Sequence, residues 1–237
     1  MIELKNISKK FGRLQVLNNI NLTCRKGECI ALIGPNGCGK TSLIKSVLGM
    51  VVPNEGDILF NIKNIKNQFD YRSQIGYMPQ IGRYPENMTI GQVIETIKSI
   101  RNHPTDIDDY LLKEFKLEAL FSKRMRTLSG GTMQKVSATI AFLFNPDVLI
   151  LDEPTAGLDP LASEILKEKI ILEKEKGKLI LITSHILSEL DDLVTQIIFM
   201  QEGNIVFHKD IDVLKKETKE NRISKAVAVI LKNINNE

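Results

Sequence analysis

The sequence predicts an α/β fold whose core is a mixed or parallel β-sheet. Short apolar runs typical of buried strands occur at residues 29–33, 148–151, 179–183 and 197–200. Helical patterns separate several of these runs, and alternation of strands with helices is typical of parallel sheets. A second observation is a change of pattern between residues 82 and 128, where apolar residues recur at helical spacing. We therefore predict a sheet core that is interrupted by a largely helical segment.

The remaining elements follow in chain order. The first 80 residues are rich in predicted strands, beginning with an alternating apolar pattern at Ile2, and turns are expected at residues 26–28 and 53–56. Residues 204–207 are expected to form the last strand of a hairpin. Residues 209–237 are charged at first and then amphipathic, which predicts either a docking helix or a frayed tail.

Composition favours a globular chain without a membrane-spanning segment. The 237 residues fit one large domain or a domain with a subdomain, and a hydrophobic content of 43% is sufficient for a core. No apolar run approaches the roughly 18 residues needed to span a bilayer, and the N-terminus lacks the pattern of a secretory signal. The net charge of +3 gives no nucleic-acid footprint. We expect a cytoplasmic chain that needs a partner for any work at a membrane.

Residues 34–41 match the G-x-x-x-x-G-K-[ST] pattern of a phosphate-binding loop. A predicted strand enters this loop and a predicted helix, 42–48, leaves it, which is the required order. In such loops the backbone amides hold the phosphates, the lysine places a positive charge on the β and γ groups, and the hydroxyl ligates magnesium. The residues expected to bind nucleotide here are Gly34, Pro35, Asn36, Gly37, Cys38, Gly39, Lys40 and Thr41.

The chain has three cysteines, and this odd number disfavours disulfides in a cytosolic protein. Cys24 and Cys29 are expected to pack in one strand pair, because no further cysteine or histidine is spaced near them for metal binding. Two interpretations stay open for Cys38. It is either a small residue that fits the phosphate loop or a thiol whose oxidation or alkylation blocks ATP binding.

A second acidic site follows the apolar run 148–151, where Asp152 and Glu153 stand at the carboxyl end of a predicted buried strand. Open α/β sheets bind their ligands at this edge. Asp152 is therefore expected to reach a magnesium ion, and Glu153 is expected to act on the attacking water. The alternative is a pair of structural carboxylates after a core strand.

The tetrapeptide at 128–131, Leu-Ser-Gly-Gly, precedes a helix-like run at 133–144. Its serine hydroxyl and its two glycine amides are expected to face an anion at the N-terminus of that helix. The residues concerned are Ser129, Gly130 and Gly131.

In this order, the three motifs closely resemble the ATP-binding cassette (ABC) family over residues 1 to about 208. The resemblance implies a P-loop NTPase fold of ABC type, with an antiparallel β subdomain and an α-helical subdomain. It implies one nucleotide-binding domain at 1–208, with its core at 1–80 and 129–208 and a helical subdomain at about 82–128 that meets a membrane subunit. Residues 209–237 are then a tail.

The resemblance also assigns roles to weaker motifs. Phe11 matches the aromatic residue that stacks on adenine, and Gln80 matches the glutamine that senses magnesium and the transport partner. Asp159 lies in a match to the D-loop, and His185 matches the switch histidine that contacts the γ-phosphate. Taken singly, Phe11, Gln80 and His185 each have a structural alternative, as a core aromatic residue, a solvated loop residue and a structural histidine.

The mechanism that the resemblance implies requires two subunits. Ser129 and Gly131 of one subunit cap the ATP bound by the loop of a second, identical subunit, and hydrolysis then separates the pair. Glu153 polarises the water in this mechanism. The tetrapeptide at 128–131, called here the signature tetrapeptide, is followed by Thr132, where the family usually has glutamine. This departure concerns the fine tuning of the trans interface more than hydrolysis, since threonine can still cap a helix.

We therefore expect an ATPase subunit, peripheral to the cytoplasmic face of the inner (plasma) membrane, that drives a separate integral membrane permease. Two alternatives use the same motifs, a DNA-maintenance ATPase and a ribosome-associated factor. The first class separates its motifs by long coiled coils, whereas Lys40 and Asp152 are only 112 positions apart (152 − 40). The second class usually carries two cassettes. A narrower resemblance, in residues 81–89 and 184–190, is to ATPases of copper-processing systems that help mature nitrous-oxide reductase.

Overall fold

The computed structural model describes residues 1–102 and 106–235. The chain divides into two compact units, which are the described parts of Met1–Arg72 with Lys174–Glu237 (unit 1) and of Ser73–Glu173 (unit 2). The elements are β1 (Ile2–Phe11), β2 (Leu14–Cys24), β3 (Cys29–Ile33), α1 (Lys40–Val47), β4 (Glu55–Phe60), β5 (Lys63–Asn64), β6 (Ile75–Met78), α2 (Ile90–Ile100), α3 (Tyr110–Glu114), α4 (Gly130–Phe142), β7 (Val148–Asp152), α5 (Pro160–Glu175), β8 (Leu179–Thr183), β9 (Gln196–Gln201), β10 (Asn204–Asp210), α6 (Ile211–Thr218) and α7 (Ile223–Asn235).

Unit 1 contains an antiparallel sheet with the strand order β2-β1-β4-β5. Ile2 and Leu4 of β1 both face the core, because side chains two positions apart lie on the same side of a strand. The hairpin of β1 and β2 closes with Phe11 opposite Leu14. This sheet accounts for the strand-rich pattern of the first residues.

Unit 1 also contains the strand that leads to the phosphate loop. All residues of β3 are buried, and β3 pairs in parallel with β8 on one side and β9 on the other. The hairpin expected at 204–207 is confirmed, because β10 pairs antiparallel with β9. Continuous apolar runs such as β3 and β8 are typical of strands buried on both faces.

The expectation that Cys24 and Cys29 share one strand pair is wrong. Cys24 ends β2 in the antiparallel sheet, whereas Cys29 begins β3, which belongs to the other sheet and pairs in parallel with β8 and β9. The turn at 25–28 carries the chain from one sheet to the other. Both thiols are buried, and loss of solvation is the main reason that the pKa of each rises to about 12. These cysteines are therefore protonated core residues.

Unit 2 is built around the parallel pair β6 and β7, with α4 packed against β6. A Cβ atom on Gly76 would lie 2.0 Å from the carbonyl oxygen of Ala141, so only glycine permits this approach of strand and helix. The helical pattern expected over 82–128 corresponds to α2, α3 and two 3₁₀ turns at Leu117–Leu120 and Met125–Thr127. Helix α2 begins with a capping box between Thr89 and Gln92.

A buried ion cluster fixes the segment before α3 in unit 2. The ammonium group of Lys169, on α5, pairs with Asp108 and with Glu173 at 2.8 Å, and its side chain is almost fully buried. The backbone amide of Asp108 donates to the carbonyl of Leu143 at the end of α4. This part of unit 2 is therefore anchored to both α4 and α5.

The tail forms two helices that pack within unit 1. Leu214 of α6 and Ile223, Ala226 and Val227 of α7 are buried. Residues 211–218 and 223–235 thus form helices rather than a frayed end, and residues 236–237 lie outside the described part of the chain. Within the described residues, none of the helices combines the length and the apolar character that crossing a bilayer requires.

Candidate functional site

The phosphate loop lies in unit 1, where it joins β3 to α1. Gly34 and Gly39 adopt positive φ values of 148° and 110°. A Cβ atom on Gly34 would lie 2.1 Å from the Met200 carbonyl oxygen, and one on Gly39 would lie 2.6 Å from the Val16 carbonyl oxygen. The loop is therefore held against the backbones of β9 and β2, in a space that larger residues cannot share.

The ammonium group of Lys40 folds back over this loop. Its Nζ atom donates to the carbonyl oxygens of Gly34 at 2.8 Å and Pro35 at 3.1 Å, and it lies 3.9 Å from Cys38 Sγ. In the described part of the chain these are its hydrogen-bond partners, and none of them is a carboxylate. The lysine is only 8% exposed. A buried cation without a counter-charge is costly, so this position favours an anion.

The N-terminus of α1 adds to the same preference. Its N-cap residue, Gly39, has no side chain that could cap the first amide groups of the helix. These amides and the positive end of the helix dipole favour a phosphate. The Cys38 thiol is buried beside Lys40. This burial favours the interpretation of Cys38 as a small residue that fits the loop.

The structure brings His185 to the edge where the loop begins. Thr183, the last residue of β8, pairs with Leu32 of β3, so the segments that follow the two strands are neighbours. Ser184 forms a tight turn in which its Oγ accepts from the Ile186 amide at 3.0 Å. The His185 side chain is exposed at this turn.

Phe11 is the last residue of β1, at the end of the hairpin of β1 and β2. Its ring is 49% exposed, and the ammonium group of Lys9 lies 5.1 Å from the ring centroid. Strand β2 of the same hairpin lies beside the phosphate loop, where the Val16 carbonyl oxygen approaches Gly39. An aromatic ring that is half exposed is not a core residue, and its exposed surface suits stacking with a flat base.

The acidic residues lie in unit 2, at the carboxyl edge of β6 and β7. Met78 pairs with Leu151, which places Gln80 and the Asp152–Glu153 pair at the same edge. Asp152 is buried. The pKa of Tyr77 is raised to about 12, mainly by burial and secondly by the negative charge of Asp152.

Glu153 has a backbone conformation that glutamate seldom adopts. Its φ of 54° lies in the left-handed region, which costs free energy for a residue with a Cβ atom. Strain of this kind is concentrated at functional sites, where the surrounding structure maintains it. The left-handed conformation is compatible with a functional role for Glu153 but does not single it out, since Glu202, which follows β9, has a φ of 47°.

Gln134 is a site residue that the sequence motifs did not indicate. It lies in α4 and is only 5% exposed, and its Nε2 atom lies 3.4 Å from the carbonyl oxygen of Gln80 and 3.5 Å from that of Glu153. One buried amide thus contacts both segments that carry the predicted metal and water residues. The available signal was a polar residue among the small and apolar residues of the buried face of α4.

The signature tetrapeptide forms the N-terminus of α4, which begins three residues before the expected run. Ser129 is the N-cap, and its Oγ accepts from the Thr132 amide at 3.3 Å and lies 2.9 Å from the Thr132 hydroxyl. Ser129 and Gly130 are exposed, whereas a Cβ atom on Gly131 would lie 2.8 Å from the Gly157 carbonyl oxygen. The departure at Thr132 therefore supplies a partner for the serine hydroxyl.

Asp159 joins the predicted D-loop to α4. One of its carboxylate oxygens accepts from the Ala162 amide at 2.9 Å, at the start of α5, and the other accepts from Lys135 Nζ at 2.7 Å. The hydrogen bond from Lys135, followed by that from Ala162, holds the Asp159 pKa below its usual value. Asp159 thus has a local capping role, and its contact with nucleotide stays a prediction.

The predicted metal ligands have suitable chemistry. Thr41 in unit 1 and Gln80 and Asp152 in unit 2 offer hydroxyl, amide and carboxylate oxygens, which are the ligands that magnesium prefers. Across residues 1–102 and 106–235, no cluster of three or more His, Cys, Asp or Glu residues is arranged to hold a metal ion.

Comparison with known proteins gives several matches. The family described as "ABC transporter" matches residues 17–156. The lantibiotic transport ATP-binding protein SrtF of Streptococcus pyogenes is 33% identical, over 90% of this chain and 92% of that protein. The Nod factor export ATP-binding protein I of Burkholderia lata is 33% identical, over 85% of this chain and 68% of that protein. A solved ATP-binding subunit of an ABC transporter has 28% identity and a TM-score of 0.88, covering 98% of this chain and 99% of that one.

Proposed function

Since this chain belongs to the ABC transporter family, we propose that it is the ATP-hydrolysing subunit of a transporter whose permease is a separate integral membrane protein. As an ABC ATPase, the chain is expected to bind and hydrolyse ATP. In this proposal it lies at the cytoplasmic face of the inner (plasma) membrane.

The observation that carries the proposal is the buried ammonium of Lys40. It lies over a glycine loop at the carboxyl end of β3, and a triphosphate would provide the anion that its environment lacks. The exposed ring of Phe11 supports an adenine base as the other end of the ligand. Together these residues favour ATP over a simple phosphate.

We assign the chemical roles as follows. Glu153 accepts a proton from the attacking water, and His185 donates a hydrogen bond to the γ-phosphate. Thr41, Gln80 and Asp152 would hold Mg²⁺, which supplies charge neutralisation of the phosphates when bound. Most of the catalysis in this assignment comes from positioning and charge stabilisation.

We also assign the signature tetrapeptide to the ATP of a second copy of this chain. The exposure of Ser129 and Gly130 at the N-terminus of α4 supports this role, since an exposed helix N-terminus can cap an anion brought by a partner. Hydrolysis would then remove the ligand that joins the two subunits. The segment at about 82–128 is the part we assign to the permease contact, within a nucleotide-binding domain at 1–208.

The cargo has two candidates. The names of the relatives concern lantibiotic transport and Nod factor export, which favours an export system. The resemblance of residues 81–89 and 184–190 to ATPases of copper-processing systems favours a role in maturing the copper site of nitrous-oxide reductase. A permease encoded beside a periplasmic copper-site protein would favour the second candidate.

Phosphate release from ATP tests the enzymatic part of the proposal. The purified chain, alone or with its permease, is expected to release phosphate with MgCl₂ and to lose nearly all release with excess EDTA, because the metal neutralises the phosphates. Readdition of MgCl₂ is the control and is expected to restore release. Equal release with and without EDTA would contradict the assigned metal role, and no release in either preparation would contradict the enzyme assignment.

Co-purification tests the partner. Tagged chain expressed in its own cells is expected to bring down one multispanning membrane protein from detergent extracts. The Lys40→Met variant is a suitable second bait, because the substitution lies in the phosphate loop, outside the segment at about 82–128. Co-sedimentation with ribosomes or DNA instead of a membrane protein would contradict a transport role.

A further inference from the structure

We propose that Asp191 is a positioning residue that holds the His185 segment by anchoring it to the C-terminal helix α7. The inference rests on the proposed function, in which His185 contacts the γ-phosphate. It gives residues 211–235 a role in turnover, although they lie outside every motif of the phosphate site. All the contacts concerned lie within unit 1.

The segment at 184–194, between β8 and β9, has little regular structure of its own. It contains one 3₁₀ turn, Leu187–Glu189, with short-range bonds such as that from the Glu189 amide to the Ile186 carbonyl. The pairing of β8 fixes its first end, next to β3. A loop of this kind depends on contacts at its second end for a defined position.

Asp191 supplies the most specific of these contacts. Its Oδ1 atom accepts a hydrogen bond of 2.8 Å from the backbone amide of Ile223, the first residue of α7. The first amides of a helix have no partner within the helix, and a carboxylate there also interacts favourably with the helix dipole. The side chain of Asp191 thus caps a helix that is 32 residues away in sequence.

Helix α7 is a firm support for this contact. Ile223 is fully buried, and Ala226 and Val227 on the same face of the helix are buried as well. At the other side of the segment, the amide of Ile211, which begins α6, donates to the Thr195 carbonyl at 2.9 Å. Helix α7 therefore holds the segment at Asp191, and helix α6 holds the chain at Thr195.

Lys174 provides further contacts at the second end of the segment, which is the end next to β9. Its Nζ atom donates to the backbone carbonyls of Asp192 at 3.2 Å and Leu193 at 3.1 Å, and the side chains of Leu190 and Leu193 are buried. Asp192 takes part through its backbone only, and its side chain is exposed. The neighbouring residue thus offers a matched control, with the same charge and no cap.

The test compares Asp191→Ala, Asp191→Asn and Asp192→Ala in the full-length chain. Asp191→Ala is expected to lower kcat for ATP by roughly three- to tenfold with little change in KM, because it loosens a residue that acts on the γ-phosphate. It is also expected to speed hydrogen exchange of the backbone amides at 186–190. Asp191→Asn should restore both properties, since asparagine caps helices as well as aspartate. Asp192→Ala should match the unaltered chain.

A double variant shows whether Asp191 acts through His185. In a His185→Ala background, Asp191→Ala is expected to cause no further fall in kcat. The inference is overturned if the two effects multiply, if Asp191→Asn fails to restore kcat, or if Asp192→Ala is equally impaired. If His185→Ala alone leaves kcat unchanged, the proposed role of His185 is wrong and the inference falls with it. Loss of ATP binding in Asp191→Ala would also overturn it, because a general structural defect would then explain the lower rate.

Discussion

Glu153→Gln is expected to lower ATP turnover by roughly 10²-fold or more while ATP binding is retained, which is the scale for losing general-base assistance. Glutamine matches glutamate in size and has no greater difficulty with a φ of 54°, so the backbone strain at this position is unchanged. It cannot take a proton from water, however. Phosphate release under single-turnover conditions and binding of a fluorescent ATP analogue measure the two properties separately.

Glu164→Gln is the matched control for this variant. Glu164 is an exposed residue of α5, in the same unit as Glu153, and it pairs with Lys167 at 2.9 Å. Removal of its charge is expected to leave turnover unchanged, because exposed ion pairs contribute little. Normal hydrolysis by Glu153→Gln would show that Glu153 is not the base.

Lys40→Met is expected to weaken ATP binding by roughly 10- to 10²-fold, from the usual contribution of a hydrogen bond to a charged group. The methionine fills a similar volume without the ammonium. Since the partners of the buried Lys40 within residues 1–102 and 106–235 are two carbonyl oxygens and a sulfur atom, the melting temperature without nucleotide is not expected to fall. Calorimetric titration and thermal unfolding, with Lys45→Met on the exposed side of α1 as the control, measure both effects. A melting temperature that falls along with the affinity would show a structural role for Lys40.

The Lys40→Met variant also tests whether the signature tetrapeptide, residues 128–131, acts on the ATP of a second subunit. Ser129→Asp retains an N-cap and places a negative charge where the partner's γ-phosphate is proposed to lie. At an ATP concentration too low to occupy Lys40→Met, each variant alone is expected to be inactive, whereas a mixture with Lys40→Met forms dimers that contain one intact site. Recovery of up to one active site per mixed dimer is expected, and a mixture as inactive as its components would contradict action in trans.

Strands with continuous apolar runs were the most predictable part of the fold. Residues 29–33 form β3 as expected, and β7 extends the run at 148–151 by Asp152 alone. Because both faces of such a strand are buried, its apolar residues form a continuous run, and the strand can be recognised without an alternating pattern. The cysteine pairing failed for a different reason, because a turn of a few residues can carry the chain to another sheet, and local pattern does not specify which sheet the next strand joins.

The segment at 82–128 shows the same limit for helices. Its apolar spacing is helical, yet among its described residues, 82–102 and 106–128, the α-helices are α2 and α3, and 3₁₀ turns occupy part of the remainder. Short helices gain their stability from tertiary packing more than from propensity, so their ends depend on contacts that the sequence does not specify. The tail is a clearer case. Its amphipathic pattern permitted either docking or fraying, and the cap from Asp191 comes from a distant part of the chain.

The residues of the site were predictable where a motif specifies a backbone shape. Glycines at positions 34 and 39 adopt positive φ beside other backbones, which the loop pattern implies. The left-handed conformation of Glu153 and the contacts of Gln134 were not predictable, because no motif specifies the first and the second depend on tertiary packing around α4. The catalytic role of Glu153, like the roles of the other site residues, stays a prediction.

The position of β3 between β8 and β9 has a consequence for synthesis of the chain. The strand that leads to the phosphate loop is made within the first 33 residues, yet both of its neighbours begin at or after residue 179. Translation must therefore continue for at least 145 residues beyond β3 (178 − 33) before the first of these pairings can form, and contacts of such long range are slow to form. A nascent chain that ends before β8 would leave β3 without either neighbour, so the phosphate loop would lack the support of the strands beside it.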